Sequence, residues 1–186
     1  MPLSRPVNPR SKTLVIDASI ARAAGGEDAQ HPDATHARDF LKAVLNICHK
    51  IGMTPAIKKE WDDHESRFAL SWRKAMVARK KLAFKPLAEN AYLREAVMDL
   101  DVTEKAKSAM LKDCHLLEAA LAFDGWVFSA DEIVRCHFQN AAVRIPEIRR
   151  ISWGNPLKET TAVLEGLAKG EPRKTLSDSA SFADLG

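Results

Sequence analysis

Four carboxylates in this chain stand where chemistry usually happens in an α/β protein. Asp113 opens the stretch DCHLLEAALAFDGWVFSAD, which ends on Asp131. At 100° per residue Asp113 falls among Ala106, Met110, Leu117 and Ala120, on the apolar stripe of its helix. A carboxylate on a core-facing stripe needs a proton, an ion partner or a cation, because an isolated buried charge is too costly. Asp131 follows a short apolar strand, Trp126, Val127 and Phe128, with Gly125 before it and Ser129 between. Asp17 follows a second such run, Thr13 to Ile16. Glu60 lies in the second turn of a helix that Thr54-Pro55 would start, just beyond a very short strand containing Ile51 and Met53.

Each acid also has an ordinary explanation. Asp17 can cap a turn with Ser19, and a glutamate early in a helix is favoured by the dipole. Yet all four occupy equivalent topological positions. Two carboxylates about 4 Å apart repel by roughly 4 kcal/mol at an effective dielectric of 20, so a cluster of four requires cations or protons. Oxygen ligands without accompanying His or Cys favour Mg²⁺ or Mn²⁺ over zinc. Such ions activate water and stabilise the leaving oxygen of a phosphodiester.

The elements that must position these residues can be read from patterning. With 186 residues, 46% hydrophobic and 28% charged, the chain suits one domain with a real core plus tails. Residues 1–11, with Pro2, Pro6 and Pro9, read as an extended lead-in; 12–156 as the domain; 157–186 as a C-terminal helix and flexible tail. Thr13 to Ile16 reads as a strand buried on both faces. A helix is expected from Asp33 as N-cap, with Ala37, Phe40, Leu41, Val44 and Cys48 on one face and Gly52 as its end. Asn90 to Leu100 is expected to be helical, with Tyr92, Ala96 and Val97 packing, and Thr103 caps the helix carrying Asp113. Residues 132–142 suit a helix and Ile145 to Trp153 a last strand, stopped by Gly154-Asn155-Pro156. Leu157 to Leu167 suits an amphipathic helix whose Leu157, Val163, Leu164 and Leu167 either cover the core or mediate dimerisation. Gly170 to Gly186 is expected to be disordered. Strands alternating with helices in this order imply an α/β sandwich with a mainly parallel sheet.

Other clusters are weaker. From Ser66 to Ala88 there are seven basic residues and no acid, interleaved with Phe68, Trp72 and Phe84. Arg67, Arg73, Lys74, Arg79, Lys80, Lys81 and Lys85 could track a phosphate backbone, or equally form a solvated face; Trp72 falls at core spacing. Asp62, Asp63, His64 and Glu65 point around a helix and read as a solvated face. His115 projects away from the apolar stripe, as a surface histidine would. Glu132, adjacent to Asp131, is expected to point elsewhere. Cys48, Cys114 and Cys136, odd in number and far apart, read as buried thiols rather than disulfides or zinc ligands. The net charge of +3 identifies no partner. No apolar run approaches the roughly 20 residues of a membrane span, and the basic N-terminus lacks a following apolar region, so a cytoplasmic location is expected. No GxxxxGK[ST] loop is present, which disfavours an NTPase. Asp17-Ala18-Ser19 lacks the second Asp of a haloacid dehalogenase phosphatase.

The segments LVIDAS around Asp17, TPAIKKEW around Glu60, DCHLLEAALA from Asp113 and VFSAD ending at Asp131 resemble the PIN-domain family, metal-dependent ribonucleases that include the VapC-type toxins. The resemblance covers about residues 13–153. It implies a three-layer α/β/α sandwich, with Mg²⁺ or Mn²⁺ held by Asp17, Glu60, Asp113 and Asp131 at the carboxyl rim of the sheet. Ser129 matches the family's Ser or Thr that orders the site. The implied activity is hydrolysis of RNA, with an antitoxin protein as partner if the chain is a toxin, and a homodimer as a common assembly. The alternative is a PIN fold kept as a silent RNA- or protein-binding module.

Overall fold

The computed structural model describes residues 11–171 and 174–178. In chain order the elements are β1 (Thr13–Ile16), α1 (Ala18–Ala23), α2 (Pro32–Ile47), β2 (Lys50–Met53), α3 (Pro55–His64), α4 (Arg67–Ala78), β3 (Leu82–Phe84), α5 (Ala91–Met98), α6 (Glu104–Ala122), β4 (Trp126–Phe128), α7 (Glu132–Ala141), a 3-10 turn (Pro146–Ile148), β5 (Ser152–Gly154) and α8 (Thr160–Lys169). The five strands form one sheet in the order β3-β2-β1-β4-β5, and every pairing is parallel. Parallel neighbours need crossovers, and the helices that supply them cover both faces. Leu14, Val15 and Ile16 are fully buried in the central strand, as a continuous apolar run requires.

Strand alternation divides the core. Phe128 faces α2, its ring 4.8 Å from Phe40; Trp153, in register with Val127, faces α7, its ring 5.6 Å from Phe138. Helices α1, α2, α4 and α8 pack among themselves on the first side; α6 packs on β1 and β4 with α5 and α7 beside it on the second. The architecture is the three-layer α/β/α sandwich. Helix starts are set by side-chain caps: Thr54, Ser66, Asn90, Thr103 and Asp131 each accept from the backbone N–H three residues on, satisfying donors that the helix itself leaves open. Among the described residues no helix is long and apolar enough to cross a membrane.

The structure departs from the sequence reading at several places. Helix α2 starts at Pro32, capped by His31 Nδ1, which accepts from Asp33 N at 3.2 Å. It ends at Ile47 because Cys48 turns left-handed (φ 76°). Gly52 is therefore no helix stop; it lies inside β2, where a Cβ would come 2.6 Å from the Phe123 ring. Strand β3 was hidden within the basic stretch. Tyr92 is 67% exposed while Leu93 takes the packing position on α5. The expected strand from Ile145 to Trp153 contracts to β5, because Pro146 has no N–H and starts a 3-10 turn. Of the cysteines only Cys114 is buried; Cys48 is exposed and Cys136 intermediate.

The C-terminal apolar residues cover the core. Val163, Leu167 and Leu176 belong to the same cluster as the sheet, with Leu157 and Leu164 packed against it. Beyond α8, residues 174–178 are not the disordered tail expected: Leu176 N donates to Ile151 O at 2.8 Å, and Thr175 bridges Ser152 in antiparallel fashion. The remainder of that tail, and residues 1–10 of the lead-in, lie outside the described residues.

Candidate functional site

The strand order reverses at β1. The chain leaves β1 for β2 and β3 on one side, then comes back to β4 on the other, so the crevice outside the carboxyl ends of β1 and β4 is the topological switch point where α/β sheets bind ligands. Asp17 ends β1 there, its N–H donating to Phe128 O at 2.9 Å. Ser129, Ala130 and Asp131 leave β4 beside it.

Two hydroxyls join these strand ends. Asp17 Oδ2 accepts from Ser129 Oγ at 2.8 Å and from Ser19 Oγ. Each serine in turn accepts a backbone N–H from the β4–α7 loop: Ala130 N to Ser19 Oγ at 3.1 Å, and Asp131 N to Ser129 Oγ at 3.2 Å. The acceptor at the N–H end and donor at the O–H end fix both hydroxyl directions, and with them the plane of the Asp17 carboxylate. Ser129 is 1% exposed, so this relay is shielded from competing water. Asp17 holds the N-cap position of α1 without a side-chain cap bond; its local contact with Ser19 and its cross-strand contact with Ser129 coexist. Asp131 caps α7 through Oδ1, which accepts from Val134 N at 2.9 Å.

Asp113, half-buried on α6, lies within electrostatic reach of these acids. Burial pushes its carboxyl up to about 6, and the negative charges of Asp17 and, more weakly, Asp131 add to the shift, while His115 and Lys112 oppose it. Its apolar neighbours on α6, Met110 and Leu117, are buried. Thus the third acid is sensed electrostatically by the other two. Glu60 is held differently. Its Oε2 lies 3.1 Å from His115 Nε2, and His115 Nδ1 meets Lys112 O at 2.9 Å. Trp61, next to it, donates from Nε1 to Ile16 O at 2.8 Å and anchors α3 at the end of β1.

His115 is not the surface residue expected: it is 7% exposed. The helical wheel assumed one buried face, whereas α6 is covered by the sheet and by α3, α5 and α7. A polar residue facing away from the sheet on such a helix must find polar partners, and that is the signal that would have found it. The expected Asp17–Ser19 turn contact is present, whereas the part played by Asn155 was missed. Asn155, 1% exposed, accepts from Leu157 N at 3.0 Å and donates from Nδ2 to Glu132 Oε1 at 2.8 Å.

The donor set suits a hard cation. It is made of carboxylate oxygens, and the hydrogen bonds above use one oxygen each of Asp17 and Asp131, leaving the second of each pair to turn toward an ion. Among the described residues, no group of three or more His, Cys, Asp or Glu side chains already forms a cation cage.

The remaining candidates separate from this crevice. Glu132 pairs with Arg135 and Asn155, so its oxygens are used within the scaffold. Asp62 and Asp63 form i,i+4 pairs with Lys58 and Lys59, whose hydrogen bonds hold both carboxyls below the usual range. Glu65 leaves the solvated face and pairs with Arg73, whose side chain is largely covered. Arg73 is thereby occupied by Asp62 and Glu65. Arg67 stands exposed at the start of α4, where the backbone meets the end of α1 (Ser66 N to Ala21 O, 3.2 Å). Lys74 is exposed midway along α4, and Lys85 Nζ reaches Ala122 O. Arg79, Lys80 and Lys81 lie at the amino edge of the sheet, since Lys81 O accepts from Ile51 N and Leu82 is level with Ile51. The structure therefore joins Asp17 and Asp131 through Ser129, leaves Asp113 near enough to feel the charge of both, links Glu60 to α6 through His115, and places 79–81 at the other end of the strands. Comparison of the chain with protein-family models gave no match, and comparison with curated proteins gave no significant similarity.

Proposed function

We propose that this protein is a divalent-metal-dependent endoribonuclease of the PIN type, acting on RNA in the cytoplasm. The observation that carries this reading is the linking of Asp17 and Asp131 at the β1/β4 switch point by the buried Ser129 hydroxyl, with Asp113 near enough for the charge of both to raise its carboxyl. Asp17, Asp113 and Asp131 would hold Mg²⁺ or Mn²⁺, with Glu60 at its margin. When bound, such a cation supplies a Lewis acid to the phosphodiester and acidifies an attacking water. The chain's own part is geometric and electrostatic. Ser19 and Ser129 fix Asp17, the α7 N-terminus fixes Asp131, and α6 carries Asp113 within electrostatic reach of both, so that net negative charge accumulates where a cation would be attracted.

One observation favours a second reading, a binding module without turnover: Asp17 and Asp131 each spend an oxygen on internal hydrogen bonds, which a purely structural corner would also do. Cleavage of defined single-stranded RNAs with Mg²⁺ or Mn²⁺ decides between them. The nuclease reading expects product with metal, none in excess EDTA, and a loss of roughly 100-fold or more in Asp17→Asn and in Asp113→Asn. RNA binding without cleavage, indifferent to EDTA, establishes the module instead. As a toxin the protein would also take an antitoxin, and co-expression with the product of an adjacent small reading frame, followed by co-purification, tests that role; sedimentation tests the homodimer.

A further inference from the structure

The amino edge of the sheet, opposite the acids, carries a row of cations assembled from distant parts of the chain. Lys12 precedes β1, Lys50 begins β2 and Lys81 precedes β3; Lys50 N donates to Lys12 O at 2.8 Å and Ile51 N to Lys81 O at 2.9 Å, so the three backbones run side by side. Arg79 and Lys80, both exposed, adjoin them. Six cations elsewhere are paired with acids, Lys58, Lys59, Arg73, Arg94, Lys107 and Arg135. Among the described residues, none of the five edge cations forms a salt bridge with a described acid. A nearby carboxylate, Asp124, accepts from Thr13 N at 2.6 Å.

Helix ends account for only part of this row. Cations are favoured at helix C-termini, and Lys81 Nζ does donate to Leu45 O near the end of α2 at 2.6 Å. Among the described residues, Lys12, Lys50 and Lys80 have no such bond. Lys80 moreover keeps a left-handed backbone (φ 56°), a conformation that favours Gly or Asn. The positive field reaches inward: His49, buried behind the row, is held below its ordinary pKa first by burial, with Lys12 and Lys81 adding to the effect.

We propose that Lys12, Lys50, Arg79, Lys80 and Lys81 form a binding surface for the sugar-phosphate backbone of RNA, separate from the carboxylate crevice. RNA is named as the ligand on the strength of the proposed function. The five-residue rise from Lys12 to Asp17 is on the order of 16 Å along an extended chain. A bound strand that engages both ends must therefore span the depth of the sheet, and short oligonucleotides reach the crevice without touching the edge. The edge retains substrate; it makes no contact with the reacting phosphate.

The test uses the full chain, a labelled single-stranded RNA of about 20 nucleotides, and EDTA to prevent cleavage. Lys81 is left in place because it caps α2. Lys12→Glu/Lys50→Glu/Lys80→Glu, with the corresponding Gln triple as a milder partner, is first checked for native circular dichroism and melting. The expected result is a loss of affinity of about 10-fold or more at low salt, and a shallower salt dependence by about two in log–log slope for three lost contacts. Cleavage of a tetranucleotide with Mn²⁺ stays at the wild-type rate. Unchanged RNA affinity in a folded triple variant overturns the proposal. So does a loss confined to anionic phosphatidylserine vesicles, which would mark the edge as a membrane contact. Edge-dependent RNA binding by a wild-type protein that cleaves nothing would sustain this surface and refute the nuclease; metal-dependent cleavage by a protein whose affinity for the longer RNA is unchanged in the edge variants would do the reverse.

Discussion

Ser129 Oγ donates to Asp17 Oδ2 at 2.8 Å across 112 positions of sequence, and the same oxygen accepts from Asp131 N at 3.2 Å. One buried hydroxyl thus couples the acid at the end of β1 to the acid after β4. Ser129→Ala removes the coupling while leaving all carboxylates in place. The expected outcome is a 10- to 100-fold fall (order of magnitude) in Mn²⁺ affinity and RNA cleavage. A destabilisation of about 1–3 kcal/mol should accompany it, since the Asp131 N–H loses its acceptor. Ser129→Thr should retain most of both. Calorimetric Mn²⁺ titration alongside cleavage rates measures this; full activity in the alanine variant would show that Asp17 needs no such restraint.

Asp113 makes the site costly in the absence of a cation. Its carboxyl is raised to about 6 in the fold, chiefly by burial and then by Asp17, against about 3.9 in an unfolded chain. Between those values the native state binds more protons, so stability is highest below the lower value and falls as pH rises toward 6. Asp113→Asn removes the ionisation. The variant should be more stable than the wild type at pH 7 by on the order of 1 kcal/mol after allowance for partial exposure, and indistinguishable from it near pH 4. Melting curves at the two pH values, without metal, decide. Mn²⁺ should raise the wild-type midpoint and leave that of the variant nearly unchanged.

Much of this site was legible because its parts obey local rules. Thr13 to Ile16 is apolar on both faces and is the central strand; Thr54 and Thr103 read as cap residues and do cap. What escaped depends on tertiary neighbours. Strand β3 is three residues long at the sheet edge, and its Leu82 and Ala83 are only half-buried, so it has neither the length nor the alternation that marks a strand. His115 was misplaced because a wheel shows one apolar stripe, whereas α6 is buried on several sides. Lys12, Lys50 and Lys81 are far apart in sequence, and only the parallel register makes them neighbours.

Gly52 is required for packing. A Cβ built there lies 2.6 Å from the Cδ2 and Cε2 atoms of Phe123, and Lys85 Nζ sits over the same ring, 4.8 Å from its centroid. The ring cannot retreat without breaking that contact and shifting the end of α6. Gly52→Ala should cost about 1–3 kcal/mol by overpacking. Phe123→Leu in the same chain should recover part of the loss, a positive coupling that a double-mutant cycle in urea would read. Additive penalties would mean that the two positions do not meet.

His49 ties the amino edge to α8. It is fully buried; Nδ1 accepts from Lys12 N at 3.1 Å, and Nε2 meets Leu167 O at 2.9 Å. Because Nδ1 accepts an N–H and Nε2 must donate to a carbonyl, the ring is neutral with its proton on Nε2. Protonation would put a hydrogen on Nδ1 against the Lys12 N–H, and would place a charge in the core next to Lys12 and Lys81. Its pKa is accordingly lowered, by burial first. The sign follows: the unfolded chain takes up the proton near 6.5 while the native state resists, so the stability is complete above that value and declines as pH falls below it. In urea, the wild type should lose midpoint between pH 7.5 and 5.5. His49→Gln, whose amide can still accept one hydrogen bond and donate another, should start lower but lose less over the same interval. Since Asp113 pulls stability in the opposite direction over part of that range, the difference between wild type and variant isolates the histidine. Equal slopes for the two proteins would show that His49 takes up its proton as readily in the fold as in the unfolded chain.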